Sequence, residues 1–414
     1  MLNIIHGADF HLDSPFSGLS PERAAQRRGE QRDLLTRLAQ LAREKQADLV
    51  LLSGDLMDGE TVYRETAQAL SQALGGIPCP VFLAPGNHDC YSPSSVYATL
   101  DWPDNVHIFT SPAVEGVDLP QLNCTVYGRA FCSPHETDSP LAGFQAAEDG
   151  RLTLACLHGD TAPGSGYGPI SQEEIAASGL DYLALGHVHQ YSGLQRAGRT
   201  VWAYPGCPEG RGFDETGEKG VLLLHAQPGQ VVGEFVPLCR RRYQDVRVDV
   251  TGSDPLDAVL NALPPATAED IYRITLTGAC TAPDLARLQR ALAPRFYGLT
   301  VRDETRLPQD LWQRREEDSL TGLFLSHMWD LCQQRPDDPV CRLAARFGLD
   351  VKASELFFTC GAAPALISII KALIVDADTE IMAIAPFFPE YRPFVNANGG
   401  KLVVVPADTK AFQI

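Results

Sequence analysis

An α/β fold followed by a smaller α+β region is predicted from three observations. Residues 1 to about 240 alternate strand-like and helix-like segments and close with strands around GVLLLHA and VVGEFVPL. Five runs within that stretch, LNIIHG, ADLVLLS, CPVFLAP, LTLACL and LDYLALG, read as buried strands, and each is followed by a short polar signature. Such strand ends are where α/β sheets place their ligand sites. After Tyr243 the character changes: RVDVTG, a helix-like DPLDAVLNAL, IYRITLTG, a second helix DLARLQRALA and the strand YGLTVRDE describe a small α+β domain.

The 414 residues are too many for one ordinary core, so two or three domains are expected. With 44% apolar and 21% charged residues, the composition is that of a globular protein in water. No apolar run is long enough to span a bilayer, and MLNIIHGADFHL reads as a strand rather than a basic-then-apolar leader. A cytoplasmic protein without membrane contact is expected. The 11 cysteines are scattered from Cys79 to Cys360 with no CxxC pair, a pattern of reduced thiols rather than of a disulfide framework.

The polar signatures are Asp9-Phe-His11, Gly54-Asp55-Leu-Met-Asp58, Gly86-Asn87-His88-Asp89, Leu157-His158-Gly159 and Gly186-His187-Val-His189. Asp, Asn and His supply oxygen and imidazole ligands suited to two divalent ions of the Mn, Fe or Zn kind, and no cysteine stands among them to favour a closed structural zinc site. Asp55, which follows a strand and a tight Gly54 turn, is the best candidate to bridge. Paired metals can clamp a phosphoryl oxygen and make a water acidic enough to attack it near neutral pH. Hydrolysis of a phosphate ester is the chemistry this pattern points to.

The order DxH, GDxxD, GNHD, HG, GHxH resembles the calcineurin-like metallophosphoesterases. The opening ADFHLDSPF, YPGCPEGRGFDE at 204–215 and EEDSLTGLFL at 316–325 resemble their SbcD-type DNA-repair exonucleases, over residues 1 to about 350. Any single motif is weak, and the five together are specific. The resemblance implies a two-layered β-sandwich flanked by helices at 1–240, with one metal on Asp9, His11, Asp55 and His189 and a second on Asp55, Asn87, His158 and His187, most often manganese. It implies that His88 stays free of metal and faces the scissile phosphate as proton donor or transition-state stabiliser, with Asp58 orienting its ring. It further implies a capping domain at 241–307, a helical tail at 308–350 that binds a coiled-coil ATPase of the SbcC type, a homodimer, and exonuclease with endonuclease activity on DNA in repair or recombination. Two other readings stand beside this one: a phosphoesterase acting on nucleotides or phosphoproteins, and a catalytically idle scaffold.

A net charge of −18 is awkward for a nucleic-acid enzyme, because it repels phosphate at long range. Two basic clusters, Arg23, Arg27, Arg28 and Arg32 in the first helix and Arg240, Arg241 and Arg242 after the strands, are read either as DNA contacts or as solvated faces. His6, His107, His135, His225 and His327 fit no motif and are expected to be structural or surface groups, His6 within the core. Asp13 and Asp160 are read as loop caps or as neighbours of ligands. Cys90 is read as inert and Cys207 as close to the site without a nucleophilic role.

In DLWQRREEDSLTGLFLSHMWDLCQQ, Leu320, Leu323, Phe324, His327 and Met328 fall on or near one helical face, able to dock on a partner or on its own domain. From Glu355 onward, LFFTCGAAPALISIIKALI, EIMAIAPFFPEYRPFV and GGKLVVVPADTKAFQI resemble the start of the large domain of a fold-type I, pyridoxal-phosphate-dependent aminotransferase. In that family the TCGAA turn at 359–363 would cradle the cofactor phosphate and an aromatic near Pro386-Phe387-Phe388 would stack on its ring. No Schiff-base lysine in its strand context follows, so 351–414 is expected to be a non-functional fragment joined near 350–354, with unpaired strand edges and an apolar helix lacking cover; the alternative reading is a genuine appended β-α-β-like module.

Overall fold

The structure, a computed structural model, describes residues 1–59, 62–280, 283–306, 314–334, 362–384 and 389–405. They divide into two compact units, one of 1–248, 255–276 and 284–303, the other of 249–254, 277–283 and 304–414.

The first unit opens with β1 (Leu2–Gly7), α1 (Pro21–Glu44), β2 (Leu49–Leu52), α2 (Arg64–Gly75), β3 (Val81–Leu83), α3 (Val96–Thr99) and β4 (Val106–Ile108). β1, β2, β3 and β4 run parallel, each connection crossing over the sheet. There follow β5 (Glu115–Leu119), β6 (Cys124–Gly128), β7 (Leu152–His158), α4 (Gln172–Ala177), β8 (Tyr182–Gly186), β9 (Gln195–Ala197), β10 (Thr200–Ala203), β11 (Gly220–Gln227) and β12 (Gln230–Pro237). Two sheets result, in the orders β12-β11-β1-β2-β3-β4 and β5-β6-β7-β8-β10-β9.

Both faces of the central strands are buried, which is why those runs are continuously apolar rather than alternating. In β1, Ile4 packs between the sheets with Leu49, Leu51, Phe82, Leu154 and Tyr182, whereas its neighbour Ile5 points the other way, to Leu34 and Leu38 of α1 and Leu70 and Leu74 of α2. On the far side of the second sheet, Ala155, Leu157, Leu183 and Leu185 pack with Ile175 of α4 and Trp202. The outcome is a β-sandwich with helices outside, as expected. Local chemistry starts the helices: Ser20 caps α1 through the Arg23 N–H with Pro21 next, and Ser171 and Glu174 form a reciprocal capping box on α4.

Beyond the sandwich, β13 (Tyr243–Asp249), α5 (Pro255–Ala262), β14 (Ile271–Thr277), α6 (Leu285–Leu292) and β15 (Gly298–Asp303) alternate as the sequence reads, in a three-stranded sheet of order β13-β14-β15. α6 is capped by Asp284 on the Arg287 N–H and buries Leu288 and Leu292.

In the second unit, α7 (Leu320–Gln334) buries Leu325 and exposes Leu323 and His327. α8 (Ala362–Leu373), β16 (Glu380–Ile384), α9 (Tyr391–Ala397) and β17 (Lys401–Val405) follow, β16 and β17 pairing in parallel as a two-stranded sheet. Ile370, Ala383 and Val395 are buried there, whereas Ile369, Leu373, Val375 and Met382 are exposed. Residues 335–349 of the expected tail, the junction near 350–354, residues 359–361 of the TCGAA turn and Pro386-Phe387-Phe388 lie outside the described residues. No helix among the described residues is long and apolar enough to cross a membrane.

Candidate metal centre

The loops after β1 and β2 are zipped together: Asp9 N–H donates to Gly54 O (3.0 Å), His11 N–H to Asp55 O (3.0 Å) and Leu12 N–H to Leu56 O (2.8 Å). Asp9, His11 and Asp55 all carry positive φ, 55°, 45° and 51°, a conformation that non-glycine residues adopt at a cost of order 1–3 kcal/mol. Gly54 (φ 85°) has no alternative, since a Cβ there would stand 2.5 Å from His158 Nδ1. A third loop is tied in by Asp89, to which the sequence motifs assign no role. Its carboxylate is buried and accepts the N–H groups of Leu56 (2.7 Å), Met57 (3.1 Å) and Gly86 (2.8 Å) and the Tyr97 hydroxyl.

Two hydrogen bonds and one ion-pair contact favour a proton on Nδ1 of three imidazoles. His158 Nδ1 lies 2.9 Å from Ser53 O, and His189 Nδ1 lies 2.7 Å from Glu215 Oε1, nearer than the Arg211 Nη2 donor at 3.2 Å; His11 Nδ1 lies 3.0 Å from Asp58 Oδ1, an ion-pair contact outside hydrogen-bond geometry. The Nε2 atoms therefore carry lone pairs, and they meet other acceptors. His11 Nε2 faces His189 Nε2 at 3.0 Å, and His158 Nε2 faces Asn87 Oδ1 at 2.9 Å. His187 Nδ1 approaches the same Asn87 oxygen at 3.1 Å. Asp55 gives Oδ1 to the His88 N–H (2.9 Å), leaving Oδ2 between His11 Nε2 (3.8 Å) and His158 Nε2 (3.6 Å).

Lone pair against lone pair in a buried pocket is unfavourable unless a cation lies between. Burial sharpens the point by keeping the rings neutral: it lowers His158 to about 3 and His11 to about 4, and lowers His187. Asp9 moves the other way, raised by burial and by the neighbouring Asp55 charge. The donor set fits divalent cations: Asp9 with His11 and His189, and Asp55 with His158 and His187, each present ligand atoms within 4.8 Å of one another. All seven expected ligand residues converge on this pocket.

His88 is placed differently from expectation. It is exposed, with its ring 4.9 Å from that of His11, but the Asp58 carboxylate does not orient it: His88 Nδ1 reaches only the Asp58 backbone oxygen, at 3.4 Å. Asp58 instead turns to His11 and to Arg211 Nη1 (2.8 Å), because the cation and the imidazole N–H together outbid a more solvated ring. Those contacts and that from His88 hold its carboxyl low against the upward push of burial.

Arg211 and Glu215 escape the sequence motifs. Arg211 spans Asp58 and Glu215 (2.8 Å each), and Glu215 is held well below the usual carboxylate range by His189 and Arg211 despite burial. Both stand in YPGCPEGRGFDE at 204–215, a segment that carries the family resemblance without assigning either of them a role. Gln31, buried in α1, donates to His11 O at 2.8 Å.

The basic clusters are largely consumed within the fold. Arg27 is fully buried between Glu30 (2.8 Å) and Glu209 (2.7 Å); Arg241 is buried on Glu30 and lies 3.5 Å over the Tyr297 ring. Arg240 and Arg242 pair with Glu269 and Asp270. His6 is a core group, between Tyr182 Oη (2.8 Å) and Ser53 Oγ (3.2 Å). Asp13 caps the start of α2 through the Tyr63 N–H and Thr66, and Asp160 takes the Ala162 N–H while lying 3.8 Å from His187 Nε2. Cys207 is buried beside His189 O, and burial pushes its thiol up, which disfavours the thiolate.

A two-layered sandwich with carboxylates and imidazoles gathered at its strand ends defines a class. Residues 2–191 match the calcineurin-like phosphoesterase family and are a domain of that family of metal-dependent hydrolases. Among curated proteins the chain is 30% identical over 270 residues to the uncharacterized metallophosphoesterase YhaO of Bacillus subtilis, covering 62% of this chain and 65% of the relative. It is 26% identical over 274 residues to the SbcD component of nuclease SbcCD from Bacillus subtilis, covering 55% and 67%, and 25% identical over 397 residues to the same component from Rhodobacter capsulatus, covering 78% and 94%. The chain thus spans about two thirds of the length of the first two.

Proposed function

We propose that the chain is a two-metal phosphodiesterase acting on DNA, an exonuclease with endonuclease activity serving repair or recombination. One ion is held by Asp9, His11, Asp55 and His189, the other by Asp55, Asn87, His158 and His187, with manganese the preferred metal. The observation that carries this reading is the pair of acceptor-to-acceptor meetings, His11 with His189 and His158 with Asn87, with Asp55 Oδ2 between them. Bound ions would polarise the phosphoryl oxygen and acidify the attacking water.

The protein's own part follows from position. Glu215 accepts the Nδ1 proton of His189 and the Asp58 carboxylate stands 3.0 Å from His11 Nδ1, an arrangement that favours both rings offering Nε2 to the same point. His88, exposed and next to His11, is free to donate a proton to the leaving oxygen or hydrogen-bond the phosphorane-like transition state. The charge of −18 and the internal pairing of Arg27, Arg241 and Arg242 support a further proposal, that a coiled-coil ATPase of the SbcC type, with a second copy of this chain, supplies part of the DNA contact.

A manganese-dependent assay on labelled DNA, run with the ATPase partner and with His88→Ala as control, tests the reading. Activity that vanishes with chelator and falls in the variant is expected. If wild type and variant are equally silent on DNA, the nuclease reading is lost; hydrolysis of nucleotides or phosphoproteins alone would select the other phosphoesterase reading.

A further inference from the structure

Beside the metal centre lies a cavity of about 430 Å³, bounded by the 14–19 loop, the 211–215 loop and Tyr243. It adjoins the centre directly, because two of its lining residues, Asp58 and Arg211, are the ones that contact His11 and His189. We propose that this cavity holds the nucleoside attached to the scissile phosphate, an inference that rests on the phosphodiesterase reading and names the part of the substrate it selects.

The lining chooses that ligand. Phe16, Leu19, Phe213 and Tyr243 give an apolar, largely aromatic wall. Phe213 is half-buried, and the Arg273 guanidinium sits 4.5 Å over its ring, while Tyr243 meets it edge-on at 5.1 Å. A ring fixed from two directions is a stacking platform that loses little freedom when a base lies against it. Among the charged groups on the lining, Asp58, Arg211 and Glu215 are engaged with one another, and the Asp214 carboxylate is exposed. A carboxylate in that position repels a second phosphate and accepts from base amino or imino groups. The volume falls in the range of small-molecule sites and exceeds what one base needs.

Backbone strain marks the same wall. Phe16 holds φ at 47°, unusual for a bulky residue. It is held there under the Arg27 guanidinium, 5.3 Å above its ring, and Arg27 is fixed by Glu30 and Glu209. A strained aromatic kept rigid by a buried ion network beside a reactive centre is a preformed surface rather than an adaptable loop.

The test uses the full chain with manganese, two chromogenic diesters and two variants, Phe213→Ala and Phe213→Tyr. Thymidine 5′-(p-nitrophenyl phosphate) carries a base, and methyl p-nitrophenyl phosphate does not. We expect Phe213→Ala to lower the ratio of kcat/KM for the nucleoside ester over the methyl ester roughly tenfold, through KM, as loss of a stacking partner would, and Phe213→Tyr to restore it. An unchanged ratio in Phe213→Ala overturns the proposal. If wild type cleaves neither ester, the DNA assay above still decides the phosphodiesterase reading and calorimetry decides the cavity. Thymidine 5′-phosphate binding at least about tenfold more tightly than inorganic phosphate in wild type, and equally in Phe213→Ala, upholds it; equal binding in wild type overturns it.

Discussion

Glu215 places Oε1 2.7 Å from His189 Nδ1, linking a residue of the 204–215 loop to the last histidine of the five signatures. The contact fixes the tautomer that leaves Nε2 bare, so it governs how well His189 can serve a metal. Glu215→Gln is expected to weaken manganese binding by about 10- to 100-fold with the fold intact. Titration calorimetry on protein stripped with chelator reads this directly, and unchanged affinity would show the contact to be incidental.

Asp58 and His88 should separate by the same measurement. Asp58→Asn replaces the acceptor for the His11 N–H, so metal affinity falls along with activity. His88→Ala removes no expected ligand, and is expected to keep metal binding while lowering kcat by about 10²- to 10⁴-fold. Equal loss of metal in both variants would put His88 among the ligands.

Asp89 holds three loop N–H groups and one hydroxyl in a buried position, and its removal orphans them together. Asp89→Ala should cost about 3 kcal/mol or more of stability. Chemical denaturation at fixed pH and metal concentration checks this, and a cost within about 0.5 kcal/mol of zero, as for an ordinary surface site, would contradict it.

The Glu30 network sets an acid limit. Burial pushes the Glu30 carboxyl up, but the hydrogen bonds from Arg241 and Arg27 outweigh this and hold it below its ordinary value of 4.5. A depressed folded value means that its stabilisation is complete above about pH 5 and is lost as pH falls from 4.5 through the folded value. Glu30→Gln should cost about 1–3 kcal/mol near pH 7, since it removes the carboxylate shared by two buried guanidinium groups and leaves Arg27 to Glu209 and Arg241 to Glu269. The difference from wild type should shrink as thermal melts are taken towards about pH 3. A penalty that grows on acidification would reverse the sign and refute the assignment.

Removing residues 351–414 is expected to leave DNA hydrolysis unchanged and to reduce aggregation, since Ile369, Leu373, Val375 and Met382 are exposed there. Specific activity of the truncated chain, with light scattering, tests both, and a large loss of activity would assign the segment a part in function.

Apolar continuity of the strands and the polar residues at their ends were enough to read the strands and their polar end loops, because both arise from local patterning; the sandwich and the set of seven expected ligands followed from the family resemblance. Ile4 and Ile5 are such a case: both faces of β1 are covered, so the run is apolar throughout. Pairings across long separations were not legible. Arg27 and Arg241 read as candidate DNA contacts because positive charge on a helix or loop looks alike whether solvated or buried. Glu30, 211 residues from Arg241, decides the matter only in three dimensions. Likewise Asp58 was matched to His88 by motif, whereas folding brings it to His11 and to Arg211, 153 residues away.

By itself, then, the amino-acid order determined which carboxylate, amide and imidazole groups are candidates for a metal centre, and that they stand at strand ends. Tertiary structure alone decided which carboxylate steers which imidazole and which guanidinium is spent on the core. Side-chain ion pairs form over a few ångströms of space, and no local spacing encodes that distance for residues far apart in the chain.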